Sequence, residues 1–259
     1  SRGLGDVYKR QLINQAQISK DSDKDGNDVT DQDSVPDKWN EGEDDQDIEK
    51  VKVQYFDLSL RKWVTQAIVT ENGEEKIIES GHKAEDDPED VVKVDLKKSK
   101  INKVTIKFRY KIRVKNEGNI AGYAKELKDY IPNGLKFVPE DNPLWKQIDE
   151  KTITTDQTKD ILLQPGDTTE VEVVLTWIND SENFGVMDNW AEISKDHNDF
   201  NSPDIDSTPD NNKKGEDDID DAPVSVGVQT GQIKTFTTIG LAVLVILSSG
   251  VVLIKKFVL

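Results

Sequence analysis

The chain of 259 residues contains no cysteine. That excludes a disulfide framework, thiolate metal sites and a cysteine nucleophile. Histidine is nearly absent as well: only His82 and His197 occur, far apart in the chain, which leaves little for a His-rich metal site or a Ser-His-Asp triad. The one methionine is Met187, so the chain reads as starting inside a longer protein. Excess positive charge is missing too. The formal net charge is -17, and the basic face that phosphate binding requires is lacking, so no nucleic-acid partner is expected.

What is present is acid, unevenly spread. Leu12 to Lys50 holds thirteen acidic and four basic residues, and Lys195 to Asp221 holds ten acidic and three basic. Nearly all the net charge lies in these two stretches, which flank a near-neutral body. Such stretches read as solvated, self-repelling linkers. They are also copies of one another. Asn14-Gln-Ala-Gln-Ile-Ser-Lys-Asp21 matches Asn189-Trp-Ala-Glu-Ile-Ser-Lys-Asp196. Asp33-Ser-Val-Pro-Asp37 matches Asp206-Ser-Thr-Pro-Asp210, and Gly42-Glu-Asp-Asp45 matches Gly215-Glu-Asp-Asp218. A repeat with a domain-sized period makes the first copy the tail of an upstream domain. Residues 1–11 fit neither copy and read as translated adapter sequence, outside the fold.

One uncharged, mostly apolar run covers Phe236 to Ile254, followed by Lys255 and Lys256. At about 1.5 Å per residue, a helix of that length just spans a bilayer core of about 30 Å. The basic stop places the three-residue tail in the cytoplasm and the acidic body outside. A linker, a span and a basic tail resemble the C-terminal sorting signals of Gram-positive wall-anchored proteins. Those carry Leu-Pro-x-Thr-Gly before the span. Here Val226-Gly-Val-Gln-Thr-Gly231 keeps only the Thr-Gly pair, so a retained membrane anchor is expected rather than sortase attachment.

The body reads as antiparallel strands. Val104 to Asn116 alternates strictly: Val104, Ile106, Phe108, Tyr110, Ile112 and Val114 face one way, and a basic ladder from Lys103 to Lys115 faces the other. Glu170 and Glu172 on a second alternating strand (Val171, Val173, Leu175, Trp177) are expected to pair with that ladder. Phe56, Leu58, Leu60 and Val64 mark a third strand, and Gly/Pro turns separate the rest. The expected fold is all-β, an antiparallel β-sandwich with one C-terminal transmembrane helix. The expected boundaries are 12–50 for the upstream tail and linker, 51–195 for the sandwich, 196–232 for a second linker, 233–256 for the span with its basic stop and 257–259 for the tail.

Phe108-Arg-Tyr-Lys-Ile-Arg-Val-Lys-Asn-Glu-Gly118, then Ala121, then Asp129-Tyr-Ile-Pro-Asn-Gly-Leu135, resembles the Ig-like repeat domains of Gram-positive bacterial surface proteins, adhesins and fimbrial subunits among them. The Leu-Gln-Pro-Gly turn and the closing Asn-x-Ala strand fit the same pattern, over roughly Tyr55 to Val226. The resemblance implies an Ig-like sandwich and a spontaneous Lys-Asn isopeptide bond.

Strand parity supplies residues for that bond. Lys62 shares a face with Phe56, Leu58, Leu60 and Val64; Asp129 shares one with Leu127 and Ile131; Asn189 shares one with Ala191 and Ile193. Each would be costly to bury alone. Together they form a cross-link site: a desolvated amine as nucleophile, an amide as acceptor, and Asp129 as the promoting acid. Taken singly, Lys62 reads equally well as a snorkelling strand-end lysine, Asp129 as a turn cap and Asn189 as a partner for backbone groups.

Asp21-Ser-Asp-Lys-Asp-Gly-Asn27 opens like a calcium loop, with Asp31 and Asp33 as further oxygen donors. Asp21, Asp23, Asp25, Asn27, Asp31 and Asp33 are the candidate ligands; a solvated acidic linker is the competing reading. No other cofactor is expected. The functional expectation is a membrane-proximal stalk on the extracellular face of the membrane or cell wall, displaying distal domains. The alternative is an adhesin module that binds a host or matrix ligand through exposed aromatics such as Trp63, Trp145 and Trp190, of which Trp63 and Trp190 read equally well as packing between domains. No turnover enzyme is expected; at most the chain performs a single autocatalytic cross-linking event.

Overall fold

A computed structural model describes residues 11–86, 90–180 and 182–229, and the backbone of 256–258. The chain divides into two compact units, one ending at Gln54 and one starting at Tyr55.

The first unit is a hairpin of β1 (Gln11–Gln17) and β2 (Gln46–Lys52), paired antiparallel from Gln11↔Lys52 to Gln17↔Gln46. The second unit is all-β. Its strands are β3 (Leu58–Glu71), β4 (Glu74–Glu79), β5 (Val92–Lys97), β6 (Val104–Asn116), β7 (Tyr123–Tyr130), β8 (Leu135–Phe137), β9 (Lys146–Gln147), β10 (Thr152–Thr155), β11 (Thr168–Trp177), β12 (Gly185–His197) and β13 (Ile219–Gln229). Lys256–Val258 add a short strand, β14. One sheet runs β4-β3-β6-β11-β8 and the other β14-β5-β13-β12-β7-β10-β9. Buried side chains from both sheets form one core, consistent with a β-sandwich.

The strict alternation of β6 is realised as expected. Val104, Ile106, Phe108, Tyr110, Ile112 and Val114 are all buried. On the other face Arg109 pairs with Glu172 at 3.0 Å, Lys111 with Glu170 at 3.1 Å and Arg113 with Glu170 at 2.9 Å. The middle of the basic ladder, from Arg109 to Arg113, is thus paired across its own sheet.

Within the expected second linker, 196–232, the described residues 196–229 are not a solvated linker. Ile219–Gln229 form β13, paired with β12 on one side and, in parallel, with β5 on the other. Ala222, Val224 and Val226 are fully buried. The loop before β13 is also docked: Ile205 N–H donates to Phe56 O at 3.0 Å, and Leu60 N–H donates to Asp217 O at 2.7 Å. Alternating apolar residues outweigh the acids beside them: Asp221 lies on the other parity, and Asp220, on the apolar parity near the start of the strand, accepts the Lys62 N–H at 2.8 Å. The second unit therefore runs from Tyr55 through β13, where a boundary at residue 195 was expected.

The repeat is a repeat of structure. Gln17↔Gln46 in the first unit and Glu192↔Ile219 in the second are equivalent pairs in register. Ile18 N–H donates to Asp45 O at 2.8 Å, as Ile193 N–H does to Asp218 O at 2.9 Å. Asp37 and Asp210 both have φ of 62°, and Gly42 and Gly215 have φ of 99° and 96°. Residues 12–50 thus copy the closing hairpin of the sandwich.

The expected membrane span, 236–254, lies outside the described residues. Among the described residues no helix is long and apolar enough to cross a membrane. Lys256–Val258, expected beyond the span, run parallel to β5 from Lys256↔Lys93 to Val258↔Asp95.

Candidate functional site

Lys62 lies on β3, in one sheet, and points across the core. Asp129 lies near the end of β7, and Asn189 lies on β12, in the other sheet. β7 and β12 are neighbours, with Ala191 opposite Asp129 and Trp190 opposite Tyr130. That register sets the Asn189 and Asp129 side chains side by side on the inner face. The backbone of Lys62 is fixed from outside the core: its N–H donates to Asp220 Oδ2 on β13 at 2.8 Å.

The three polar side chains meet. Lys62 Nζ donates to Asp129 Oδ2 at 2.5 Å and to Asn189 Oδ1 at 2.6 Å. Asn189 Nδ2 donates to Asp129 Oδ1 at 2.7 Å and to Tyr130 O at 3.1 Å. Asp129 and Asn189 are 0 % exposed and Lys62 is 1 % exposed. The Tyr110 ring centroid lies 5.1 Å from Lys62 Nζ. Burial pushes the Lys62 ammonium below the usual lysine value, and the Asp129 carboxylate pulls it part of the way back.

The arrangement has a chemical direction. One oxygen of Asp129 faces the amine and the other faces the amide nitrogen. A proton taken from the amine on Oδ2 leaves the carboxyl group in contact with the nitrogen that must depart. The geometry therefore suits Asp129 to carry a proton between the two nitrogens.

The proposed calcium residues are not gathered into one shell. Asp23 Oδ1 accepts from the N–H groups of Asp25 and Asn27, both at 2.9 Å, and so closes its own turn. Asp31 turns instead to Asp33, whose N–H it accepts at 3.2 Å. The acidic oxygens that do converge are elsewhere, on Asp57, Asp204, Asp206 and Asp217. For Asp204, Asp206 and Asp217 the signal in the sequence is the Asp-x-Asp-Ser-x-Pro-Asp and Gly-Glu-Asp-Asp strings common to both repeat copies, where a run of acids looks like solvated linker.

The aromatics expected to be exposed are covered. Trp63 and Trp145 are buried. Arg113 lies 5.4 Å over the Trp63 ring, and Trp145 Nε1 donates to Glu172 O at 2.7 Å. Trp190 is half-buried beneath Lys214, whose Nζ is 4.0 Å from its ring.

No family model matches the chain, and no curated protein matches it. Among solved structures, the CARDB domain of PF1109 from Pyrococcus furiosus is similar at 15% identity and a TM-score of 0.28, over 68% of this chain and 98% of that one. BslA, described as a bacterial hydrophobin, is similar at 10% identity and a TM-score of 0.30, over 67% and 97%. Likenesses this distant carry no argument about what the chain does.

Proposed function

We propose that the second unit is an Ig-like stalk module of a bacterial surface protein, braced by an isopeptide bond between Lys62 and Asn189. The observation that carries this reading is the buried contact of amine, amide and carboxylate. A lysine, an aspartate and an asparagine have no reason to share a sandwich core unless they satisfy or consume one another.

The step balances. Lys62 Nζ, as the free amine, attacks Asn189 Cγ; the new C–N bond forms and the bond from Cγ to Nδ2 breaks. Asp129 takes a proton from the attacking nitrogen and delivers one to the departing nitrogen, which leaves as ammonia. No oxidant or cofactor enters. Proximity replaces substrate binding, because the fold holds both partners in contact.

The stalk reading adds an anchor. The apolar run 236–254 supplies it, and the role that follows is mechanical: the module holds distal, ligand-binding domains off the surface. In an anchored protein Lys256–Val258 would lie across the membrane from β5, so the span and the β14 pairing exclude one another. Carbonate extraction of membranes expressing the full chain separates them, with retention in the pellet expected and release into the supernatant refuting the anchor.

The cross-link itself is tested by intact mass. The purified chain is expected to be one ammonia lighter than its sequence, and Lys62→Ala and Asp129→Asn are each expected to keep the full mass of their own sequences. A wild-type chain at full sequence mass after prolonged incubation rejects the bond.

A further inference from the structure

The β1–β2 hairpin carries the parts of a sandwich core without the core. Among the described residues it pairs with no third strand. Its copy in the second unit, β12–β13, is flanked by β7 on one edge and β5 on the other. The likeness extends into the connecting loops. Asp37 N–H donates to Ile18 O at 3.2 Å, as Asp210 N–H does to Ile193 O at 3.3 Å. Val35 N–H donates to Glu43 Oε2 at 3.3 Å, as Thr208 N–H does to Glu216 Oε2 at 3.1 Å. One loop geometry is built twice, and it aligns the two hairpins residue by residue.

That alignment identifies what covers such a hairpin. Leu12 lies opposite Val51 and Asn14 opposite Glu49; the equivalent pairs are Met187 with Val224 and Asn189 with Ala222. Residues opposed in this way share a face. In the second unit that face is the inner one: Met187, Asn189, Ile193, Ala222 and Val224 are buried against the opposite sheet, and Lys62 Nζ reaches Asn189. In the first unit the same face is bare. Leu12, Ile18 and Val51 are 64 %, 53 % and 53 % exposed, and Asn14 and Glu49 are exposed beside them. A two-stranded hairpin with an uncovered apolar face is marginal in water, and such a face marks an interaction site. Its polar pair narrows the partner further. Covering Asn14 and Glu49 without compensation is costly. A lysine answers both, because it donates to the amide oxygen and neutralises the carboxylate.

We propose that this face of the β1–β2 hairpin docks onto the open core of a second β-sandwich, one without a closing hairpin of its own, and that Asn14 there meets a lysine amine of the partner. Leu12, Ile18, Val51 and Val53 take the places that Met187, Ile193, Val224 and Val226 hold in the second unit, and the free edges of β1 and β2 take the flanking strands. The docking does not rest on the isopeptide bond. The role of Asn14 as acceptor does rest on that reading. Its step is the same: the partner amine attacks Asn14 Cγ, the bond from Cγ to Nδ2 breaks, and ammonia leaves with the proton that a carboxylate carries from the attacking nitrogen.

The test uses this chain's own sandwich as the probe. In the full chain, residues 187–226 are replaced by a second copy of residues 12–53. The chimera is expected to unfold in urea in one cooperative transition, and Val51→Lys in the transplanted hairpin is expected to abolish it. Glu49→Ala in the transplant restores the alanine of the native position and serves where the added acid prevents folding. If neither form unfolds cooperatively, the docking is overturned. Sedimentation equilibrium of the wild-type chain is expected to give a monomer; a dimer broken by Val51→Lys makes a second copy the occupant and overturns the proposal. Intact mass reads Asn14 separately. The folded chimera is expected to be one ammonia lighter than its sequence, and Asn14→Ala in the transplant to keep its full mass. A folded chimera at full mass beside a lighter wild type overturns the role of Asn14 alone. Full mass in both rejects the cross-link reading and that role with it, and the urea transition still decides the docking.

Discussion

A lysine inside a β-sandwich needs a partner or a reaction, and Lys62 has both within reach. Breaking the set by one substitution leaves a buried ion uncompensated, which typically costs about 3–5 kcal/mol. Lys62→Met is therefore expected to lower the urea midpoint strongly, beyond what a lost cross-link alone would do. Lys62→Met combined with Asp129→Leu is expected to recover part of that loss while still showing no loss of ammonia, because two apolar side chains pack where the ion pair stood. Acids are the other residue-scale theme. Asp217 is pushed up to about 8 and Asp218 up to about 7, in both cases by burial first and like charges second. Between the ordinary aspartate value and these raised values the folded state holds protons that the unfolded chain has released, so stability falls as pH rises across that window. In EDTA, the unfolding midpoint is expected to decline from about pH 4 to about pH 8. A flat profile would show that these carboxylates are not raised. The Lys62, Asp129 and Asn189 trio was legible in the sequence because a strand alternates, and a polar residue on the apolar parity stands out. The buried acids were not legible. They lie in a loop without periodicity, and within a run of acids a buried carboxylate looks like a solvated one.

At the scale of elements, one side chain ties two turns to a strand. Asn116, the last residue of β6, is fully buried. Its Nδ2 donates to Ile120 O at 2.8 Å and to Leu163 O at 2.9 Å, and its Oδ1 accepts from Gly118 N–H at 2.9 Å. Its backbone N–H and C=O pair with Asp167 and Gly166 of the Gln164–Asp167 turn. Gly118 has no room for a side chain: a Cβ there would meet Tyr55 O at 2.8 Å and Asp57 N at 2.9 Å. The Asn-x-Gly and Leu-Gln-Pro-Gly strings are thus two halves of one knot. Asn116→Ala strands several buried backbone groups, each worth about 1–3 kcal/mol when left unpaired. It is expected to shift the denaturation midpoint markedly, whereas Glu117→Ala between the two motif residues is expected to leave it nearly unchanged. β13 shows the opposite case, an element hidden in plain view. Its Ala222, Val224 and Val226 alternate as clearly as β6 does, but Asp220, Asp221 and Pro223 beside them carried the linker reading. Proline is tolerated at Pro223 where it lies opposite Asp188, and the parallel pairing to β5 begins only at Val224.

For the whole molecule, what matters is where the proposed brace would sit along the chain. Lys62 and Asn189 are 127 residues apart. A bond between them closes most of the sandwich into a ring, leaving only the ends of the unit free to extend. In the chain-entropy picture, a cross-link closing a loop of this size stabilises by about 5 kcal/mol, with native strain subtracting from it. The mechanical effect of the proposed bond would exceed its thermodynamic one. If the unit serves as a stalk and is pulled from both ends, force would enter through β3 and β13, and the bond would short-circuit everything between Lys62 and Asn189. At up to about 3.5 Å per residue, the shielded segment hides roughly 440 Å of contour length. Single-molecule stretching of the wild-type chain is therefore expected to show an extension shorter by about that amount than Asp129→Asn, a variant that keeps the core side chains nearly isosteric but lacks the proton carrier. Equal extensions in the two proteins would mean that the fold bears load through noncovalent contacts alone, and the stalk reading would then lose its brace.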